Sequence, residues 1–559
     1  MRLLLLLCLI PQLLLAQPNS TPTYYELIEM YRSLEAAHPE VCKLNEEGLT
    51  DSGLPLHAFV INGSGELKPE VQGKNLVYFI LNGIHPGEAA GINASWAFAK
   101  AKTALPPKGI TYVIIPIYNI GGALNRNSTT RANQNGPESY GFRGNARNLD
   151  LNRDCIKNDS QNARSLARIF QAWKPHIFVD THTSNGADYQ PTMTLIGPMP
   201  ERLNPMQRQF VKSELTPELY SKMASRKQEM VPYVNGLKEI PDYGIAAFSD
   251  APRYTTGYAA LFNTLGFVTE AHMLKPFDDR VKATLDFLEV LDEIVTSKKQ
   301  LIRSIKVVAD EATTSMEKYA YNWGLTAETE ALEFPGYEAD TTVLSLVTGK
   351  PTLRYRRDKP FRKQIPYYNQ HEAKSEVKLP AAYILPKAWV EVLERLDANS
   401  IAYQRLKRDT ALTVTAHVVE NFTSTKRPYE GHFRHTSVET REVTQTIQFY
   451  AGDLWIPTNQ LGNAYLAHVF TPDAEDSFFR WNFFDSCLAQ KEYYSEYVFD
   501  ATAAELLDEN MALRKSFELK KREDPSFTDD PRAQLDFIYN LSPYHEVSAY
   551  RLPVYRLER

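Results

Sequence analysis

The sequence has few cysteines and no excess of basic charge, and both deficits exclude classes of protein. Only four cysteines occur in 559 residues, and removal of a signal peptide would leave three, none with a CxxC partner. At most one intramolecular disulfide is then possible, so neither a disulfide scaffold nor a cysteine zinc site is expected. The 62 Lys and Arg residues are outnumbered by 68 Asp and Glu residues. Neither a nucleic-acid partner nor an anionic membrane surface is therefore indicated.

Long apolar runs are also lacking, with one exception at the N-terminus. Residues 1–16 combine one arginine, a leucine-rich core too short to span a bilayer, and a terminal Ala16. This pattern predicts a cleaved secretory signal peptide. A retained anchor is the alternative, but Pro11 and Gln12 interrupt the apolar run. We therefore expect a secreted or periplasmic protein with no membrane span after signal cleavage.

One short motif after a predicted buried strand gives the first indication of chemistry. The apolar run Leu76–Leu81 predicts the strand, and residues 92–99 predict a helix. Between them His85 and Glu88 stand three residues apart on a glycine-containing turn. Both side chains can face one cation, and zinc accepts such nitrogen and oxygen ligands. A helix-capping carboxylate beside a turn histidine is the alternative, because a His-x-x-Glu pair also occurs by chance.

Two further strand-like segments carry an ionisable side chain near their end. They are Ile177–Ser184 with His182, and Leu265–His272 with Glu270. Strand-like and helical segments alternate here, which predicts a mostly parallel or mixed sheet covered on both faces. If the strands are parallel, these side chains and the His-x-x-Glu pair meet at one edge, where open α/β sheets bind ligands. Two histidines and a glutamate would hold one zinc ion per chain and leave a position for water. Glu270 would then be the general base.

A polar stretch of residues 119–158 is long for a loop in a compact domain, which indicates either function or disorder. Within it, Arg143 is a candidate for stabilising an oxyanion, and Asn152 with Arg153 for holding a substrate carboxylate. Asp150 is a candidate partner for the free N–H of a histidine ligand. For each of these residues alone, a solvated loop side chain is the alternative.

The order of these residues along the chain resembles that of the zinc carboxypeptidase family, in a short-loop form outside the digestive group of carboxypeptidases A and B. The set that carries the resemblance is His85-x-x-Glu88, Arg143, Asp150-x-Asn152-Arg153, His182 and Glu270. The resemblance covers residues 20–300 and implies a catalytic domain with a mixed, twisted, eight-stranded sheet and helices on both faces. It also implies the roles given above for the three metal ligands, the base, the oxyanion arginine and the carboxylate-binding pair.

Some positions depart from the family or match it ambiguously. Arg143 stands close before Asn152, so Arg131 and Arg147 are rival candidates for the oxyanion. Gly87 replaces an arginine that many digestive members carry between the metal ligands. One accessory substrate contact is therefore expected to be missing.

The family's mobile tyrosine, which covers the bound substrate terminus, is matched by Tyr254 or Tyr258. We expect Tyr254 in this role, although both could equally be packing aromatics. Thr255 and Thr256 stand nearby instead of an acidic residue, which argues against a preference for basic C-termini.

The rest of the chain, residues 301–559, is expected to be a β-rich accessory region with helices. Leu412–Val419 shows the alternation of a half-buried strand, and Val443–Tyr450 is also strand-like. His432 and His435 are three residues apart but lack a strand-to-helix setting, so we interpret them as surface or core residues. A short strand is also expected at residues 149–152 of the polar loop, where apolar and polar residues alternate.

Together these features predict an exported zinc metallocarboxypeptidase that hydrolyses the C-terminal bond of a peptide or peptide-like substrate. One alternative is a zinc amidohydrolase or deacylase acting on N-acyl amino acids or cell-wall peptides. Another is an inactive peptide-binding module, against which the presence of Glu270 argues because a binding module needs no base. No inhibitory pro-segment is apparent between the signal and the catalytic domain, so we expect activity without a further N-terminal cut.

Overall fold

The computed structural model describes residues 18–71 and 75–559. The predicted signal peptide, residues 1–16, lies outside the described residues. Within the described ranges, no helix is long and apolar enough to cross a bilayer. Cys42, Cys155 and Cys487 are free thiols.

Ten strands occur among the described residues before residue 275, and eight of them form one mixed sheet. The ten are β1 (Cys42–Leu49), β2 (Pro55–Asn62), β3 (Leu76–Leu81), β4 (Ile110–Ile115), β5 (Ile177–His182), β6 (Met193–Ile196), β7 (Met230–Pro232), β8 (Asn235–Gly236), β9 (Ile245–Ala246) and β10 (Leu265–Ala271). The large sheet has the order β1, β2, β4, β3, β5, β10, β6, β7. The predicted mixed eight-stranded sheet is thereby confirmed.

Helices cover both faces of this sheet. They are α1 (Tyr24–Ala37), α2 (Ala90–Ala104), α3 (Ile120–Leu124), α4 (Gln161–Trp173), α5 (Pro205–Phe210), α6 (Thr216–Ser225), α7 (Thr255–Ala260) and α8 (Phe277–Thr314), with a π-helical turn, Val211–Leu215, between α5 and α6. Alternate residues of β3 explain the two faces. Tyr78 and Ile80 pack in one core with α1, α2 and α8, whereas Val77 and Phe79 pack in a second core with α4 and α7.

The four central strands β4, β3, β5 and β10 are mutually parallel. Their carboxyl ends therefore lie along one edge of the sheet, as predicted. Helix α2 begins close to this edge because Gly91 has no side chain. A Cβ atom at Gly91 would lie 1.9 Å from Oγ1 of Thr181 in β5, so no larger residue fits there.

The C-terminal region contains ten more strands. They are β11 (Lys318–Leu325), β12 (Glu330–Asp340), β13 (Arg354–Tyr368), β14 (His371–Lys378), β15 (Ala382–Leu385), β16 (Gln404–Arg405), β17 (Thr410–Ser424), β18 (His435–Phe449), β19 (Leu454–Pro457) and β20 (Arg551–Leu557). Six of them form a sheet in the order β16, β19, β15, β20, β17, β18, while β12 and β13 join β9 and β8. The β-rich character expected of this region is confirmed.

Six helices complete the C-terminal region. They are α9 (Val390–Ala398), α10 (Asn463–Phe470), α11 (Glu496–Glu509), α12 (Met511–Glu523), α13 (Pro525–Thr528) and α14 (Pro531–Asn540). Helix α8 is 38 residues long and continues past residue 300, where the sequence suggested a change of region. The two regions are therefore joined by one continuous helix.

The strand expected at residues 149–152 is wrong. Residues Leu151–Arg153 form one turn of 3₁₀-helix instead. The cause is local, because the side chain of Asp150 accepts a hydrogen bond from the backbone N–H of Asn152 at 2.9 Å. Such a cap favours a helical turn over an extended conformation.

Candidate active site

The turn after β3 presents His85 and Glu88 at the carboxyl edge of the sheet. Gly83 begins this turn with φ of 65°, a left-handed conformation that glycine adopts without strain. The backbone N–H of Glu88 then donates to the carbonyl of His85 at 2.8 Å. This tight turn places both side chains on the same side, and both are buried.

His182, at the end of the neighbouring strand β5, completes a cluster with this pair. One ligand atom from each of His85, Glu88 and His182 lies within 4.8 Å of the others, and all three residues are buried. Nδ1 of His85 is 3.3 Å from Oε1 of Glu88, and Nδ1 of His182 is 3.0 Å from Oε2 of Glu88. The three residues that the sequence proposed as metal ligands are thus brought together.

The outer nitrogen of each histidine contacts a carboxylate. Nε2 of His85 lies 2.9 Å from Oδ1 of Asp150, and Nε2 of His182 lies 2.9 Å from Oδ2 of Asp180. This arrangement leaves Nδ1 of both rings facing Glu88. Metal-binding histidines commonly donate their other N–H to a carboxylate in this way.

The donor set fits a metal ion. Nδ1 of His85 is buried, and although Oε1 of Glu88 lies 3.3 Å away, it forms no well-aligned hydrogen bond with the described residues. A bound ligand would satisfy this atom. Two imidazole nitrogens and one carboxylate are a donor set of catalytic zinc sites, which keep a further position open. The cluster could therefore bind a metal ion through His85, Glu88 and His182.

The charges in this cluster are strongly coupled. Burial alone would raise the pKa of Glu88, but His85, Arg131 and His182 together hold that pKa well below its usual range. Burial alone would lower the pKa of His182, whereas Asp180 and Glu88 raise it well above its usual range. Glu88 is therefore an anion, the form that binds a cation.

Glu270 faces the cluster from the adjacent strand β10, where it pairs in register with His182. Its carboxylate forms no hydrogen bond with the described residues. Burial raises the pKa of Glu270 to about 8, with a further contribution from the negative charges of Glu88 and Asp180. A carboxylate with a raised pKa is suited to accept and return a proton near neutral pH.

The three rival arginines occupy different places. Arg143 lines the cleft and contacts Asp150 at 2.9 Å, and its Nη1 atom is 3.6 Å from Oε1 of Glu88. Arg131 also lines the cleft, but its Nη1 atom donates directly to Oε1 of Glu88 at 3.1 Å. Arg147 is exposed and does not line the cleft, so the geometry favours Arg143 or Arg131.

The polar loop is held in shape by the buried carboxylate of Asp154. One carboxylate oxygen accepts from Nζ of Lys157 at 2.8 Å and from the backbone of Asp159 at 2.9 Å, and the other accepts from the backbone of Ser160 at 2.9 Å. This fixed segment follows directly after Asn152 and Arg153. The loop that could have been disordered is therefore an ordered wall of the cleft.

Asn152 and Arg153 both line the cleft. The Oδ1 atom of Asn152 is buried without a hydrogen-bond partner among the described residues. The Arg153 guanidinium lies 4.8 Å from the centre of the Tyr254 ring. The guanidinium of Arg153 and the amide N–H groups of Asn152 are donors that can bind a substrate carboxylate.

The two candidate tyrosines lie in different environments, and only Tyr254 is at the cleft. Tyr254 lines the cleft. Tyr258 is buried in the core under α4, where its hydroxyl donates to Asn399 at 2.6 Å. Thr255 is also engaged, because its hydroxyl donates to Asp180 at 2.8 Å.

Sequence reasoning did not identify two carboxylates at this site. Asp180 stands two residues before His182 on β5, and this spacing places both side chains on one face of the strand. Asp250 lines the cleft and is only 6% exposed. Its carboxylate forms no hydrogen bond or ion pair with the described residues. No local motif marks Asp250, because it lies in an irregular segment before α7.

Most of the candidate site residues line one cleft of about 770 Å³. They are the potential metal-binding cluster, Glu270, Arg131, Arg143, Asn152, Arg153 and Tyr254. This volume lies within the range of sites that bind small organic ligands or short peptide segments. The cleft combines a potential metal site, a carboxyl group with a raised pKa and a pair of side chains that can bind an anion.

Comparisons with known proteins agree with this chemistry. No family model matches the chain. Carboxypeptidase 2 of Trichophyton rubrum is 22% identical over 503 residues, which cover 82% of this chain and 84% of that protein. Carboxypeptidase 2 of Trichophyton tonsurans is 36% identical over 100 residues, or 18% of each chain.

Solved structures also show similarity over about half of the chain. Carboxypeptidase A from Helicoverpa armigera is 13% identical with a TM-score of 0.39, covering 50% of this chain and 75% of its own. A metallo-carboxypeptidase from Burkholderia cenocepacia is 16% identical with a TM-score of 0.36, covering 50% and 69%. The chain is thus similar over most of its length to curated proteins named carboxypeptidases, which agrees with the resemblance that its motifs carry.

Proposed function

We propose that the chain is an exported zinc metallocarboxypeptidase that releases single residues from the C-terminus of peptides. One observation carries this proposal: a cluster of His85, Glu88 and His182 lies beside the free carboxylate of Glu270 in a single cleft. A binding module needs no such base. The predicted signal peptide supports export, and residues 20–300 and 301–559 would be the catalytic and accessory regions.

The substrate would be held at its C-terminal carboxylate. Asn152 and Arg153 offer an amide and a guanidinium at one wall of the cleft, and paired N–H donors favour a carboxylate over a neutral group. Tyr254 stacks beside Arg153 and would cover the bound terminus. These contacts would restrict cleavage to the last peptide bond.

The metal would be held by Nδ1 of His85, a carboxylate oxygen of Glu88 and Nδ1 of His182. Zinc bound there would polarise the scissile carbonyl and lower the pKa of a water molecule. Asp150 and Asp180 would hold the two imidazoles in the required orientation through their Nε2 atoms.

Glu270 would act as the general base. Its carboxylate takes a proton from the attacking water as the new C–O bond forms. The guanidinium of Arg143 stabilises the negative charge that develops on the carbonyl oxygen. The C–N bond then breaks, and Glu270 returns the proton to the leaving amine, which yields a shortened peptide and a free amino acid.

The test compares wild type with His182→Ala and Glu270→Gln. We expect about one zinc per chain in wild type, as one three-residue site predicts, a strong loss in His182→Ala, and retention in Glu270→Gln. Wild type should release single residues from peptides with a free C-terminus but not from the same peptides as C-terminal amides. Glu270→Gln should retain its metal and lose activity by about 10²- to 10⁴-fold.

Other outcomes would reject parts of the proposal. Zinc in wild type without release of C-terminal residues would refute the carboxypeptidase activity and favour hydrolysis of N-acyl amino acids or cell-wall peptides. A wild-type protein that binds no zinc would leave a peptide-binding module. Full activity of Glu270→Gln would exclude Glu270 as the base.

A further inference from the structure

A tight turn of the C-terminal region reaches the active-site loop. This turn connects β17 to β18 and is formed by residues Tyr429–His432. The backbone groups of Tyr429 and His432 donate to each other's carbonyls at 2.8 and 3.0 Å. Glu430 and Gly431 between them have φ of 50° and 83°. Positive φ at both central residues is typical of the type I′ turn, whose twist matches that of the strands in a β-hairpin.

The turn is anchored to the polar loop at two points. The backbone N–H of Asp150 donates to Oε2 of Glu430 at 2.7 Å, although the two residues are 280 positions apart. Nε2 of His432 lies 2.7 Å from Oδ2 of Asp159. The carboxylate of Glu430 therefore accepts a hydrogen bond from a backbone N–H of the polar loop, and it forms no ion pair with the described residues.

Asp150 connects the Glu430 contact to two candidate active-site residues. Its side chain accepts from Nε2 of His85 at 2.9 Å and from Nε of Arg143 at 3.0 Å. Fixing the backbone N–H of Asp150 therefore restricts the side chain that orients both a metal-ligand candidate and the oxyanion candidate. Glu430 contacts Asp150 through this backbone N–H and not through the side chain.

Tyr429 contributes to the electrostatics of Arg153, which lines the cleft. Burial alone would lower the pKa of Arg153, but Asp150, Tyr254 and the Tyr429 side chain raise it. The Tyr429 ring is nearly parallel to that of Trp481, with centroids 6.0 Å apart. Trp481 is fully buried, so the turn rests on the core of the C-terminal region.

Adhesion between the two regions does not depend on Glu430. Asp476 accepts from the backbone and from Nε of Arg253 at 3.0 and 3.1 Å. Arg395 donates to the carbonyl of Lys157 at 2.8 Å. These contacts hold the two regions together without Glu430. Loss of the Glu430 contact alone is therefore not expected to separate the regions.

We propose that the Tyr429–His432 turn is a positioning element of the active site, in which Glu430 fixes Asp150 and thereby orients His85 for metal binding. The functional meaning of this inference rests on the proposed function, but its test does not require catalysis. The C-terminal region is then part of the active-site architecture and not only an appendage.

The experiment measures zinc affinity of the full-length apoprotein by competition with a chromophoric chelator. We expect Glu430→Ala to weaken zinc binding about tenfold, the lower end of the range for residues that orient metal ligands. Glu430→Gln should stay near wild type, because its amide oxygen can still accept from the Asp150 N–H. The matched control is Asp485→Asn, which removes a carboxylate 2.9 Å from His435 at the base of the same hairpin but touches no cleft residue.

A double-mutant cycle separates positioning from general destabilisation. If Glu430 acts through Asp150, Glu430→Ala should cause no further loss of zinc affinity in an Asp150→Ala background. A full additional loss in that background, or wild-type affinity of Glu430→Ala, would overturn the inference. A wild type that binds zinc but cleaves no peptide would instead reject the proposed activity and leave these affinities interpretable.

Discussion

Oδ2 of Asp180 lies 2.9 Å from Nε2 of His182, two residues farther along strand β5. Both residues are buried, and the same Asp180 oxygen also accepts from the Thr255 hydroxyl at 2.8 Å. Asp180 is therefore itself held by α7. The contact fixes the ring of His182 so that its Nδ1 atom faces Glu88, which is the geometry a metal ligand needs.

From this relationship we expect Asp180→Asn to weaken zinc binding by about 10- to 100-fold, the usual cost of losing a carboxylate behind a histidine ligand. The amide keeps the size of the side chain but removes the charge that favours an N–H at Nε2. Chelator competition on the apoprotein measures the effect directly.

Asp292→Asn is the matched control for this prediction. Asp292 is also buried and accepts from the Tyr112 hydroxyl at 2.6 Å, but it lies on α8 away from the cleft. We expect zinc affinity to be unchanged in this variant. Equal affinities of wild type and Asp180→Asn would show that Asp180 does not orient His182.

The metal cluster was predictable because it depends on short-range patterns. Each strand begins with a run of apolar residues, and each candidate ligand lies at the end of a strand or in the turn that follows it. Parallel strands therefore bring the ligands to one edge of the sheet. His85, Glu88, His182 and Glu270 could be placed together on that basis alone. The eight-stranded sheet itself came from the family resemblance and not from periodicity.

Other parts of the site depend on contacts that no local pattern records. Glu430 reaches Asp150 across 280 positions of the chain. Asp250 lies in an irregular segment, and only the packed structure shows that it lines the cleft. The alternation at residues 149–152 was misleading, because the side-chain cap of Asp150 determines the local conformation instead.

The two arginines of the cleft should have separable effects. Arg143 is 45% exposed at its side chain and contacts Asp150, whereas Arg131 is 16% exposed and donates to Glu88. We expect Arg143→Ala to lower kcat of the zinc-saturated enzyme by about 10²- to 10³-fold, the cost of losing an oxyanion donor. Arg131→Ala should mainly weaken zinc binding, because it removes one of the groups that, with His85 and His182, keep Glu88 ionised.

Steady-state kinetics at saturating zinc, together with chelator competition, distinguish the two variants. We expect kcat to fall mainly in Arg143→Ala and zinc affinity to fall mainly in Arg131→Ala. If Arg131→Ala lowers kcat more than Arg143→Ala while both are zinc-saturated, the oxyanion role belongs to Arg131 and the assignment of Arg143 is wrong.

Asp250 should make substrate preference depend on pH. Burial raises the pKa of Asp250 to about 7, while Arg202 opposes the shift. Below pH 7 the carboxyl group is mainly neutral, and above pH 7 it is mainly an anion inside the cleft. An unpaired anion there favours a cationic side chain on the substrate's last residue, which contradicts the expectation drawn from Thr255 and Thr256.

The measurement uses two peptides that differ only in a C-terminal Lys or Leu. Lysine stays protonated throughout the range, since its pKa is about 10.4, so the ratio of kcat/KM values cancels the pH dependence that both substrates share. We expect the Lys/Leu ratio to rise about tenfold between pH 6 and pH 8, which corresponds to about 1.4 kcal/mol. In Asp250→Asn the ratio should be low and constant, because the amide does not ionise. A ratio in wild type that is independent of pH, or that changes equally in Asp250→Asn, would show that Asp250 does not contact the substrate's last side chain.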